Sequence, residues 1–205
     1  MKSVRTIAVV LFPEFEALDV FGPIEMFGMV AESFDICMVA ESVGEVASRQ
    51  GPKSIADHGF DEKRQYDILL VPGGPGTRKE VDNERLLDWI RDQSPGAEYV
   101  TSVCTGSALL ARAGVLDGVK ATTNKRAFPW ATSQSDKVNW EKKARWVEDG
   151  KFFTSSGVSA GMDMSLAFIA KLLGAEAAEQ VAMATEYEWH RDADWDPFAK
   201  VHGLV

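Results

Sequence analysis

The sequence is poor in the residues that build disulfide frameworks, metal centres and nucleic-acid surfaces. Its 205 residues include two cysteines, Cys37 and Cys104, and three histidines. Two cysteines are too few for a disulfide framework, and no C-x-x-C or H-E-x-x-H motif offers zinc ligands at a recognisable spacing. Lys and Arg number 22 against 31 Asp and Glu, a formal net charge of −9. Such an acidic chain argues against a nucleic-acid partner, whose phosphates require basic patches.

Long apolar runs and targeting signals are also missing. No apolar run approaches the roughly 20 residues that a membrane span requires. The first stretch, "MKSVRTIAVVLFPEF", has a short apolar core that stops at Pro13-Glu14, and no small-residue cleavage site of a signal peptide follows it. We therefore predict a cytoplasmic protein with no membrane partner.

Two segments of the sequence resemble ligand-binding loops but do not match the motifs of those loops. The glycine-rich "VPGGPGTRKE" at 71–80 fits neither G-x-G-x-x-G nor G-x-x-x-x-G-K-[ST], so no nucleotide site is predicted. Asp192, Asp194 and Asp196 have the spacing of a calcium loop. Pro197 and Gly203, however, stand where that loop needs its glycine and closing glutamate. We therefore predict no metal site.

What the sequence does have is a regular alternation of short apolar runs and amphipathic stretches. At 45% hydrophobic residues it can bury a full core. The continuous apolar runs predict parallel strands covered on both faces, at 6–12, 34–40, 66–74 and 97–104. The amphipathic stretches predict helices at about 16–30, 82–94, 106–116, 126–134, 161–173 and 175–189. This order predicts an α/β doubly wound sandwich with helices on both faces.

Two hairpins interrupt the alternation. One is predicted over 45–57, around Gly51-Pro52, and the other over 144–156, around the turn signal Asp149-Gly150. The basic "EKKAR" at 141–145 is interpreted as a solvated face. Because no repeat, low-complexity tract or linker is found, we predict one domain over 1–205.

The ends of the predicted strands are where a doubly wound sheet binds its ligands. Cys104 stands at such an end, in "SVCTGS", at a tight turn from strand to helix. This geometry exposes a nucleophile, and the following helix is expected to favour its thiolate, with a pKa below about 8.5. A buried structural cysteine is the alternative at this position. Cys37 lies within "FDICMVA" and is predicted to be a buried structural residue.

A nucleophilic cysteine requires a nearby acid or base. None of the histidines, at 58, 190 and 202, adjoins a predicted strand end. Asp19, flanked by Leu18, Val20 and Phe21, has an apolar setting that would raise its pKa and suit it to proton transfer. An aspartate on the surface of a helix is the equal alternative from this stretch alone.

Four segments in this order resemble the ThiJ/PfpI superfamily and are most similar to its isonitrile hydratase branch. They are "FEALDVFGPIEMF", "DILLVPGGPG", "VTSVCTGSALLARAGVLDGVKATTN" and "SSGVSAGMDMSLAFIAKLLG". The resemblance covers about residues 5 to 187. It implies a flavodoxin-like fold, a homodimer, and no metal or organic cofactor.

The resemblance also implies the roles of particular residues. Cys104 is the nucleophile, Asp19 is the acid beside it, and Thr105 completes the catalytic set where peptidase members carry histidine. Substrate-binding roles fall on the glycine loop and on the segment that lines the pocket, with the residues Gly73, Gly74, Ser156 and Val158. Asn124 departs from the branch, which often has histidine there, so the substrate is left open.

The predicted function is the hydration of an isonitrile to an N-substituted formamide. Cys104 is expected to attack the terminal carbon and form a thioimidate, to which Asp19 delivers a proton. Backbone N–H groups near Gly74 and Thr105 are expected to orient this adduct. Two alternatives stay open, namely a glyoxalase- or deglycase-like activity on reactive carbonyls and a non-enzymatic oxidant or ligand sensor that uses Cys104.

Overall fold

A seven-stranded sheet runs through the protein, and two small sheets flank it. The computed structural model describes residues 4–205. The strands are β1 Arg5–Val10, β2 Phe34–Ala40, β3 Gly44–Ala47, β4 Lys53–Ala56, β5 His58–Gly59, β6 Ile68–Val71, β7 Tyr99–Ser102, β8 Lys120–Ala121, β9 Asn139–Trp140, β10 Trp146–Asp149 and β11 Phe152–Ser155. The helices are α1 Ala17–Gly28, α2 Thr77–Glu80, α3 Glu84–Gly96, α4 Gly106–Arg112, α5 Phe128–Thr132, α6 Ala160–Leu173, α7 Ala175–Ala184 and α8 Pro197–Val201.

The main sheet has the strand order β10-β11-β7-β6-β1-β2-β5. All its neighbours pair in parallel except β10 and β11, which are antiparallel. The five longer parallel strands lie side by side in the order β2-β1-β6-β7-β11. Numbered by their order in the chain, this is 2-1-3-4-5, the flavodoxin-like arrangement. Every residue of β6 is buried, as expected for a strand covered by helices on both faces. The predicted α/β flavodoxin-like fold is thereby confirmed.

Most of the predicted elements are found close to their expected positions. The strand predicted at 34–40 has these bounds in the structure, and both predicted hairpins form, as β3–β4 and β10–β11. Helix α7 ends at Ala184 rather than 189. Glu186 adopts a left-handed backbone with φ of 49°, and the Tyr187 N–H donates back to the Ala182 carbonyl at 2.9 Å. This is the Schellman ending of a helix, made here without glycine.

The C-terminal segment folds back over the domain. The Arg145 N–H donates to the Ala193 carbonyl at 2.7 Å, and the Asp196 N–H donates to the Lys143 carbonyl at 2.6 Å. The interpretation of "EKKAR" as a solvated face is wrong for Arg145, which is 7% exposed. Its guanidinium forms an ion pair with the buried Asp163 at 2.6 Å, and this partner explains its burial.

The helices carry no sign of a membrane span. Within residues 4–205, none of them is both long enough and apolar enough to cross a bilayer.

Candidate active site

The predicted catalytic residues and the glycine loop come from three neighbouring strands of the main sheet, β7, β6 and β1. Cys104 follows β7, the glycine loop Gly73-Gly74 follows β6, and Asp19 lies in α1, which follows β1. Because parallel strands end at the same edge, these segments of the chain meet there. The fold therefore brings these predicted residues together at one edge of the sheet.

Cys104 occupies a strained turn. Its backbone is left-handed, with φ of 57°, a conformation that is unfavourable for a residue with a Cβ. The turn is held because the Cys104 N–H donates to the Ser156 carbonyl at 3.0 Å. Gly106 allows α4 to begin directly against β6, since a Cβ at this position would collide with the Val71 carbonyl oxygen. This is the strand-to-helix geometry expected of a nucleophile.

Asp19 is fully buried, with 0% exposure. Its Oδ2 accepts a hydrogen bond from the Gly73 N–H at 2.9 Å, whereas Oδ1 has no nitrogen or oxygen partner. Burial raises the pKa of Asp19 to about 8, opposed by the Gly73 N–H and by the Cys104 thiol. The carboxyl group is therefore protonated at neutral pH, and Oδ1, which accepts no N–H or O–H hydrogen bond, is the available position for the proton.

The source of this burial differs from the prediction. Leu18 and Phe21 were expected to desolvate Asp19, but they are 39% and 46% exposed, while Val20 is buried. Asp19 points inward from α1 toward the glycine loop, so close that a Cβ on Gly73 would lie 2.9 Å from its Oδ2. Burial by tertiary packing is therefore the main cause of its raised pKa, and the negative charge of Glu16 adds to it.

The Cys104 thiol is nearly buried, with 6% exposure. Burial raises its pKa above the ordinary value, and the negative charge of an ionised Asp19 raises it further. Asn124 opposes this rise by donating its Nδ2 to the sulfur at 3.1 Å, as do the N–H groups of Thr105 and Val158. The predicted lowering of the Cys104 pKa is wrong, because desolvation outweighs these donors.

Thr105 holds the glycine loop. Its Oγ1 accepts a hydrogen bond from the Gly74 N–H at 3.1 Å and lies 3.1 Å from the hydroxyl of Thr77. The Gly74 N–H is thus already paired, so it is not one of the groups that act on the sulfur. The N–H groups that act on the sulfur are those of Thr105 and Val158. The orientation of an adduct by N–H groups near Gly74 and Thr105 stays a prediction.

The other predicted binding residues lie around the same turn. Val158 lines the cavity that contains Cys104 and has a left-handed backbone with φ of 47°, an uncommon conformation for a β-branched residue. Ser156 lines a neighbouring cavity and contributes its carbonyl to Cys104. Gly73 contributes its N–H to Asp19. Contacts of these residues with a substrate stay predictions.

A cavity of about 480 Å³ opens above Cys104. This volume suits a small molecule. It is lined by Glu16, Arg49, Gly74, Pro75, Arg78, Cys104, Thr105, Asn124, Arg126, Ala127 and Val158. The sequence did not single out the three arginines, which come from three separate segments of the chain. Among the described residues, no group of three or more His, Cys, Asp and Glu side chains is placed to hold a metal ion.

The fold and the site identify the class of protein. Residues 5–171 match the model of the DJ-1/PfpI family, and the chain belongs to this family.

Two relatives place the chain more closely within the family. It is 35% identical over 187 residues to the isonitrile hydratase of Pseudomonas putida, covering 88% of this chain and 78% of that protein. It superimposes on the crystal structure of a ThiJ/PfpI family protein from Pseudomonas syringae with a TM-score of 0.80 and 31% identity, covering 91% of this chain and 76% of that one.

The family is varied in function. The transcriptional regulator GbdR of Pseudomonas aeruginosa is 29% identical over 144 residues, and the match spans 39% of that regulator. Drosophila melanogaster DJ-1beta has the same fold, with a TM-score of 0.80 at 18% identity, covering 91% of this chain and 100% of that one. Membership alone therefore does not define an activity, and the chemistry has to be argued from the site.

Proposed function

We propose that this protein hydrates an isonitrile to an N-substituted formamide, with Cys104 as the nucleophile and Asp19 as the proton carrier. One observation carries this proposal: a fully buried carboxyl group with a free oxygen interacts with a nearly buried thiol. Both groups hold their protons at neutral pH. Such a pair is suited to adding S–H across a carbon that must gain one proton and one nucleophile.

In the first step the isonitrile carbon receives both a proton and a sulfur. Asp19 gives its Oδ1 proton to this carbon, the Cys104 sulfur forms the C–S bond, and the thiol proton passes to the Asp19 carboxylate. The product is a thioimidate, R–N=CH–S, and Asp19 is again protonated. Because the proton and the nucleophile are transferred together, no standing thiolate is required, which agrees with the raised pKa of Cys104.

In the second step water replaces the sulfur. The water oxygen bonds to the thioimidate carbon, Asp19 gives its proton to the nitrogen, and the carboxylate takes a proton from the water. The tetrahedral adduct then breaks its C–S bond, and Asp19 passes the hydroxyl proton to the departing sulfur. The products are R–NH–CHO and the free thiol. The N–H groups of Thr105 and Val158, which act on the sulfur, stabilise it as it leaves.

The comparisons support the hydratase reading at the level of the family and favour it over a regulatory role. The isonitrile hydratase is matched over most of its own length, whereas the regulator is matched over 39%. Thr105 also takes the position where peptidase members carry histidine, which disfavours proteolysis.

The proposal is tested by incubating the protein with a small aliphatic isonitrile in ¹⁸O-labelled water. We expect an N-formamide that carries one ¹⁸O atom, and a thioimidate on Cys104 in acid-quenched samples detected by mass spectrometry. Cys104→Ala should form neither, while Cys37→Ala should form both. Turnover of methylglyoxal without turnover of the isonitrile would contradict the proposal and favour the reactive-carbonyl alternative.

A further inference from the structure

The cavity above Cys104 has an unusual charge balance. Three arginines line it, Arg49, Arg78 and Arg126, against a single carboxylate on Glu16. The chain as a whole carries a net charge of −9. The mouth of the cavity is therefore positive within an acidic protein, and such local charge concentrates ligands of the opposite sign.

The arginines that line the cavity differ from the other arginines of the chain in their ion pairing. The sequence has ten arginines, at positions 5, 49, 64, 78, 85, 91, 112, 126, 145 and 191. Seven of them pair with a carboxylate of the chain. The three that form no ion pair within residues 4–205 are the three that line the cavity.

Arg78 is positioned toward the site by its surroundings. Its guanidinium stacks on the ring of Trp130 at 3.8 Å from the centroid and donates to the Thr77 hydroxyl at 3.1 Å. Stacking fixes the plane of a guanidinium without neutralising its charge. The side chains of Arg49 and Arg126 form no hydrogen bond with the described residues, so their donors are free for a ligand.

The other charged groups of the site do not cancel this positive charge. Glu16 accepts a hydrogen bond from the amide of Gln50 rather than pairing with an arginine. Asp19, next to the nucleophile, holds its proton at neutral pH. An anion that enters the cavity therefore meets three cations and one carboxylate.

We propose that the substrate carries a carboxylate, which Arg49, Arg78 and Arg126 bind while its isonitrile group reaches Cys104. This inference rests on the proposed function and names the substrate class for the same site. A guanidinium offers a planar fork of N–H donors that matches a carboxylate with two parallel hydrogen bonds. The arginines act here as specificity-determining residues, and the departure from the branch at Asn124 is consistent with a distinct substrate.

The experiment compares isocyanoacetate with its methyl ester, which have the same reacting group and differ in charge. We expect kcat/KM for the anion to exceed that for the ester by tenfold or more. The double variant Arg49→Gln/Arg126→Gln should lower this ratio by at least tenfold, mainly through the KM of the anion. Arg78→Gln should also lower the ratio of kcat/KM for the anion to kcat/KM for the ester. The loss of the Arg78 contacts with Trp130 and Thr77 should lower this ratio further.

Arg5→Gln provides the matched control. Arg5 lies at the opposite end of β1 from the site and pairs with Glu98 at 2.6 Å, so its replacement should leave the ratio unchanged. Equal turnover of the anion and the ester, or a ratio that the cavity arginines do not alter, would overturn the inference while leaving isonitrile hydration intact.

A second measurement separates this inference from the proposed function. Iodoacetate and iodoacetamide alkylate the same thiol, but only iodoacetate is an anion. The rate of alkylation of Cys104 by iodoacetate divided by the rate by iodoacetamide therefore reports the local electrostatic field without any isonitrile. We expect the ratio to exceed that of free cysteine by severalfold, to fall in the double variant, and to fall in 0.5 M salt, where charges are screened. An elevated ratio without isonitrile turnover would keep the anion site and remove the hydratase; an unchanged ratio would remove the anion site.

Discussion

Two fully buried aspartates, Asp19 and Asp163, have opposite surroundings. Asp163 pairs with Arg145 at 2.6 Å and also accepts hydrogen bonds from the Tyr187 hydroxyl at 3.1 Å and the His190 N–H at 2.9 Å. Asp19 accepts one hydrogen bond from the backbone, from the Gly73 N–H, and its other neighbouring donor is the Cys104 thiol. The same residue type is thus fully paired at one position and half paired at the other.

Under the proposed function, this difference separates a carboxyl group with a structural role from one that transfers a proton. Burial raises the pKa of both aspartates, but the charge of Arg145 and the donors around Asp163 oppose the rise there. Asp19 has no cation, and its pKa reaches about 8. Asp163, whose carboxylate oxygens are both hydrogen-bonded, holds the C-terminal segment in place. Asp19, which has a free oxygen, is available to transfer a proton.

The largest expected effect is on turnover, in Asp19→Asn. The amide keeps the shape and an acceptor for the Gly73 N–H, but it has no proton to transfer. We expect turnover of an isonitrile to fall by roughly 10²-fold or more, the usual scale of general acid–base catalysis, while alkylation of Cys104 continues. Asp163→Asn is the matched control and should retain turnover at a temperature where it is folded. Near-normal turnover in Asp19→Asn would contradict the mechanism.

The next largest effect is on stability, in Asp163→Asn. This change leaves the guanidinium of Arg145 buried without its main partner, and breaking one side of such a pair costs about 3–5 kcal/mol. For a chain of this size we expect Tm to fall on the order of 10 °C, measured by calorimetry. Asp196 lies 3.9 Å from Arg145, and a Tm equal to that of the parent would show that it replaces Asp163.

The pH dependence of turnover and stability should report Asp19. Since the reaction needs its proton, turnover should fall as pH rises through about 8. Its raised pKa also means that its contribution to stability is full below about pH 4 and is lost as pH rises through about 8. Asp19→Asn should therefore gain stability over the parent between pH 5 and 8, by at least about 1.4 kcal/mol, the value of one pKa unit. Urea unfolding at several pH values checks this. If the difference in unfolding free energy between Asp19→Asn and the parent did not change with pH, the raised pKa of Asp19 would be contradicted.

The smallest expected effect concerns Asn124, which donates to the Cys104 sulfur at 3.1 Å. Asn124→Ala removes one donor, worth about 1 kcal/mol, so turnover should slow by roughly fivefold. Gly157→Ala should act similarly, because its Cβ would collide with the Asn124 amide. Asn139→Ala, at the exposed first residue of β9, should leave the rate unchanged. If both site variants matched the parent, the donor would have no role.

The sequence was sufficient for the elements whose pattern is local. The strand β2, the two hairpins and the turn at Cys104 were predicted because apolar runs, Asp149-Gly150 and a strand end are visible in neighbouring residues. The strands β5, β8 and β9 have two residues each, which is too short for any periodicity to indicate them. The end of α7 was missed because Glu186, rather than a glycine, adopts the left-handed conformation there.

The candidate site was predicted in its members more than in its electrostatics. Cys104 and Asp19 were proposed from their positions, and the structure places them in one site, but the raised pKa of the thiol depends on burial that only tertiary packing creates. The cavity arginines come from the β3–β4 hairpin, from α2 and from the segment after β8, and each alone has the pattern of a surface charge. Their convergence, and the absence of ion pairs at all three, is visible only in the folded chain.

The left-handed backbone of Cys104 gives this position an evolutionary meaning. A side chain in that conformation costs roughly 1–2 kcal/mol, which glycine avoids. Selection for stability alone therefore favours glycine at position 104, and under the proposed function selection for chemistry at the sulfur opposes it. Among descendants of this chain, a retained cysteine would mark lineages in which the reaction is still under selection. Glycine there would mark lineages that kept the fold for another task.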